Sequence, residues 1–94
     1  MSMIYQTESK AQGWRAMAKF EDGREALLLL GRSSTQVRQG YIESFSDLLD
    51  EEEREQIISI SLQRWHGAPD AGNWEHQTTL KVPVMVARLE RVAA

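Results

Sequence analysis

The stretch WRAMAKFEDGREALLLLG, residues 14–31, decides the fold. Asp22-Gly23 sits between two strand-like runs, and Asp-Gly is the favoured pair of a two-residue hairpin turn, where both positions need positive φ. A two-residue loop sets Glu21 against Arg24, Ala18 against Leu27 and Ala16 against Leu29. Alternation then gives one face of Trp14, Ala16, Ala18, Phe20, Leu27 and Leu29. The other face carries Arg15, Met17, Lys19, Glu21, Arg24, Ala26, Leu28 and Leu30. The first face reads as core, and its small alanines leave room for a helix.

That helix follows directly. Ser33 with Gln36 fits a capping box, and Val37, Tyr41, Phe45, Leu48 and Leu49 recur at helical spacing as one apolar stripe. Gly40 within it lowers helix propensity by about 1 kcal/mol relative to alanine, a cost consistent with close approach to the sheet. Asp50 with Glu53 marks a second cap over the acidic run that follows.

Two more strands are expected beyond it. In IISISLQRWH, Ile58, Ile60 and Leu62 alternate with Ser59, Ser61 and Gln63. In WEHQTTLKVPV, Trp74, His76, Thr78, Leu80 and Val82 share one side. Pro83 cannot donate to a ladder, so that strand ends there or runs along an edge. The order β-β-α-(α)-β-β predicts an α+β domain: an antiparallel sheet of about four strands with the main helix packed on one face. Residues 1–94 read as one small domain. The polar N-terminal segment of about ten residues is expected either to be loosely ordered or to add an edge strand at Met3–Thr7, and the tail 84–94 to be loosely ordered, a short strand or a weak helix.

Between the last two strands lies RWHGAPDAGNW, residues 64–74. Pro69 and Asp70 suit the centre of a turn, and Gly72 and Asn73 tolerate positive φ on the return. Trp65 and Trp74 flank the loop and can stack across it. The competing reading is a recognition loop with Trp65, His66 and Asp70 at its tip. By alternation Trp65 points away from Ile60 and Leu62, onto a face where polar residues are expected.

The bulk properties exclude several classes. The 94 residues contain no cysteine and carry a net charge of −3 from 11 basic and 14 acidic residues. Disulfides, thiolate metal sites and a cysteine nucleophile are therefore absent, and wholesale attraction to nucleic acid or anionic lipid is not expected. The first ten residues lack the basic-then-apolar pattern of a secretory signal, and no apolar run approaches membrane-spanning length. A cytoplasmic location is expected. His66 and His76 could approach across the hairpin, but no metal-ligand spacing such as H-E-x-x-H is present, so no metal or cofactor is expected.

Two surfaces follow for function. Ala26, Leu28 and Leu30 with Met17 leave the outer face of the first hairpin too apolar for a fully solvated surface. Met17, Leu28 and Leu30 are thus candidates for contact with a protein partner or a second copy, as are Trp65, His66 and Asp70. The leading expectation is a non-enzymatic interaction domain, with a homodimer as one form. The alternative is nucleic-acid binding through Arg15, Lys19 and Arg24, joined by Arg32 and Arg38. General acid–base work by His66 with Asp70 would need a cleft, which so small a chain has little room to build.

The segments GRSSTQVRQGY and LQRWHGAPDAGNW resemble a group of short uncharacterised cyanobacterial proteins. That resemblance implies a small cytoplasmic protein and brings no catalytic residues. At the level of fold, a hairpin followed by a helix is similar to the sheet-plus-helix modules of plant transcription factors and integrase arm-binding domains. Those have three strands before the helix and strongly basic sheets, which this chain lacks.

Overall fold

The computed structural model describes residues 13–83. The segments 1–12 and 84–94, including the candidate edge strand Met3–Thr7 and the tail, lie outside the described residues. Strands β1 (Trp14–Phe20) and β2 (Glu25–Gly31) are followed by helices α1 (Ser34–Leu48) and α2 (Glu51–Glu55), then β3 (Ile57–Ala68) and β4 (Ala71–Leu80). The four strands form one antiparallel sheet in the order β2-β1-β3-β4. The chain leaves the first hairpin through the helices and returns beside β1, so β1 and β3 are central. The expected α+β architecture is present.

The cap signals work locally. Ser33 accepts the Gln36 backbone N–H at 3.1 Å, while the Gln36 carboxamide turns back to accept the Arg32 N–H at 2.8 Å. At α2 the Asp50 side chain accepts from the Glu53 N–H and the Glu53 side chain accepts from the Asp50 N–H, closing the expected capping box. The Arg54 guanidinium donates to the carbonyls of Ser46 and Leu49, which satisfies orphan acceptors at the end of α1 and fixes the short α2 against it.

Val37, Tyr41, Phe45 and Leu49 are buried against Ala16, Ala18, Phe20, Ile57, Ile60, Leu62 and Leu80. Leu48, expected in the stripe, is 60% exposed; it is the last residue of α1, and the extended cap residue Leu49 turns into the core instead. Gly40 is required by close packing: a Cβ there would sit 2.7 Å from Leu29 Cδ2. The Tyr41 hydroxyl donates to the Lys81 carbonyl at 2.6 Å and ties α1 to the chain leaving β4. Burial raises its pKa above the ordinary tyrosine value.

The departures from the expected pattern are bulges. Each of the three strand pairs contains one register shift. In the first hairpin the loop is three residues, not two. The Gly23 N–H donates to the Phe20 carbonyl, the Phe20 N–H donates to Arg24, and only Gly23 takes positive φ. That is a turn closed by a glycine bulge. Lys19 therefore faces Glu25, and Arg24 folds onto Asp22 at 2.7 Å instead of pairing with Glu21. Ala16 pairs with Leu29 as expected, but Met17 pairs with Leu27 and Ala18 with Ala26. The extra residue, Leu28, is buried, whereas Leu27 is 47% exposed, which reverses the two assignments made by alternation.

The second shift leaves Ile58 unpaired between Ile57, opposite Phe20, and Ser59, opposite Lys19. Ile57 takes the core place expected of Ile58, which is 56% exposed. The third falls at Gln77, between Thr78 opposite Leu62 and His76 opposite Gln63. Leu80 stays in the core, but Trp74 and His76 move to the other side of the sheet from the one alternation gives them.

Candidate interaction surface

α1 covers one face of the sheet. On the opposite, outer face the register aligns Leu30, Arg15, Gln63 and His76 in one row across the four strands, and Leu27, Met17, Ser61 and Thr79 in the next. Trp65 and Trp74 form a further row on the same face, where β3 and β4 run on past the end of β1. No stripe of this kind was visible in the sequence, because three of its members, Leu27, Trp74 and His76, arrive only through the bulges at Leu28 and Gln77.

One end of this face is held together tightly. The Trp65 and Trp74 rings meet edge to face, with centroids 5.4 Å apart and planes at 74°. The Arg15 guanidinium lies 4.3 Å above the Trp74 ring and donates from Nε to Gln63 Oε1 at 2.7 Å. Burial against these groups lowers the Arg15 pKa, and the negative charge of Glu25 opposes that shift. The Trp65 indole N–H donates to the Ala68 carbonyl at 3.0 Å, and its backbone N–H donates to Gly13. Ser61 Oγ and His76 Nδ1 are hydrogen-bonded at 2.6 Å.

The tip beyond is a Pro69-Asp70 turn between Ala68 and Ala71. The expected positive φ at Gly72 and Asn73 is found instead at Gly67, with φ 116°. Gly72 is needed for a different reason, since a Cβ there would collide with the His66 carbonyl.

The candidate residues therefore separate. Trp65 is half-buried and stapled to Trp74, so it is a structural member of the face rather than a lone tip contact. His66 and Asp70 are exposed in the projecting hairpin, with His66 Nδ1 4.0 Å from Glu75 Oε1. His66 and His76 lie on opposite faces by register and do not converge. Met17 is half-buried on the outer face, Leu30 is 45% exposed beside it, and Leu28 belongs to the core and cannot take part. The basic residues do not gather. Arg15 and Lys19 lie on the outer face, Arg24 is bound up with Asp22 in the turn, Arg32 lies between β2 and the cap of α1, and Arg38 stands in the second turn of α1. Leu27, Gln63 and Trp74 are surface members that sequence reasoning missed.

The staple gives a direct expectation. Trp65→Ala removes an edge-to-face pair worth about 0.5–1.5 kcal/mol along with buried area. Thermal unfolding should move down by about 5–10 °C for a domain of this size. An unchanged melting temperature would show that the pair contributes nothing to the hairpin.

No family model, no curated protein and no solved structure matches the chain. No helix among the described residues is long and apolar enough to cross a membrane.

Proposed function

We propose that the chain is a non-enzymatic interaction module that receives a protein partner, or a second copy of itself, on the outer face of its sheet. The observation that carries this reading is the company kept by the exposed leucines. Leu27 and Leu30 stand 47% and 45% exposed beside half-buried Met17, and next to a pre-ordered Trp65, Trp74 and Arg15 cluster. Tryptophan and arginine are the residue types that most often dominate binding energy, and side chains already fixed lose little entropy on docking. The dispersal of the five basic residues favours this over the nucleic-acid reading. The reading assigns the module no cofactor and a cytoplasmic setting, in keeping with a chain free of cysteine.

A photo-activatable residue in place of Met17 tests it in the native cell. A defined covalent adduct to another polypeptide is expected on illumination. The same residue in place of Glu52, exposed on α2, should give none. Equal adduct patterns from the two positions, or no adduct from position 17, would overturn the reading.

A further inference from the structure

We infer that β2 is the edge through which two copies of this chain join, antiparallel, into one continuous sheet. The inference rests on the interaction reading above and names its occupant. Among the described residues β2 has β1 on one side and no neighbour on the other. Exposed edges are usually guarded by lysine, proline or a bulge that twists the edge away. The other edge, β4, has such features: polar residues, the irregularity at Gln77, and Pro83 just beyond its end. β2 reads EALLLLG, with neither lysine nor proline, and its one irregularity is the extra residue Leu28.

The bulge makes this edge self-complementary. Paired residues in an antiparallel ladder must point to the same face, so a regular strand can meet its own symmetry mate only with the two-fold axis on a residue. In β2 the extra residue changes that rule. Leu28 is in the core and Leu29 packs beneath Gly40, so two successive residues face α1, flanked by outward Leu27 and Leu30. With the axis between Leu28 and Leu29, Leu27 meets the partner's Leu30 and Leu28 meets the partner's Leu29. Ala26 then meets the partner's Gly31, and Glu25 meets the partner's Arg32. Every pair shares a face, the two exposed leucines cover each other, and an exposed acid at one end of the strand meets an exposed base from the other end. The two-fold repeats each contact, so the charge pair forms twice.

Sedimentation velocity on the full chain from low to high micromolar concentration tests the pairing. The wild type should pass from monomer to dimer. Glu25→Arg and Arg32→Glu each create two like-charge contacts and should weaken the dimer about fivefold. An equimolar mixture of the two variants restores both pairs and should return to within about twofold of the wild type. Circular dichroism confirms that each variant is folded. A wild type that stays monomeric throughout, a dimer indifferent to both reversals, or a mixture no stronger than its components would overturn the inference. A monomeric wild type combined with a position-17 adduct to a different protein would remove the second copy and leave the outer-face reading standing. Absence of the adduct would remove that reading itself.

Discussion

Leu28→Asp should abolish folding, while Leu27→Asp should leave the domain intact. Leu28 is 3% exposed in the core and Leu27 is 47% exposed, although the two are neighbours in one strand. A carboxylate forced into the Leu28 site has no basic partner among the buried residues. The penalty for a buried, unpaired charge is several kcal/mol, against a total stability of about 5–15 kcal/mol for a domain. On the exposed site the change should stay within about 1 kcal/mol, as for surface substitutions generally. Far-ultraviolet circular dichroism with thermal melts reads both. The opposite ranking would place Leu28 on the outer face and remove the bulge between Ala16 and Met17 from the account.

Phe45→Ala carries the second largest effect. Phe45 is 1% exposed and is among the largest fully buried side chains, held between α1 and the central strands. Truncation of a buried phenylalanine costs about 3–5 kcal/mol, the sum of lost transfer energy and the cavity left behind. The ring lies on the same stripe as Val37 and Tyr41, where Gly40 lets α1 approach Leu29, so the packed layer has little freedom to collapse into the gap. Urea unfolding should show a midpoint reduced by half or more, with the slope unchanged if the remainder still unfolds as one unit. A loss below about 1 kcal/mol would mean that α1 does not form the lid of this core.

The sequence was legible wherever one short-range rule acted alone. The caps at Ser33 and Asp50, the stripe of Val37, Tyr41, Phe45 and Leu49, and the tight contact at Gly40 all follow from helical geometry. The Trp65–Trp74 stack follows from a turn centred on Pro69 and Asp70. What alternation could not reveal is where the pleat skips a residue. Leu27 and Leu28, or Ile57 and Ile58, are chemically interchangeable in a propensity argument, and only packing against Met17, Phe20 and α1 decides which turns inward. Trp74 shows the cost of one missed skip: placed in the core by counting from Leu80, it lies instead on the outer face beneath Arg15. The outer face was legible only in part for the same reason: alternation placed Arg15, Met17, Leu30 and Trp65 on it, but its rows combine residues from four strands across three register shifts.

These skips also bear on how such a chain can change length over evolution. A residue lost from the middle of a regular strand swaps inside for outside along everything downstream, much as a missing nucleotide corrupts a reading frame. Ile58 and Gln77 are different: each is surplus to the ladder, and each is exposed. The residues on either side of them already hold partners on the correct faces, so the frame is intact without them. Length variation in this fold has room inside the strands themselves, and not only in the turns that join them.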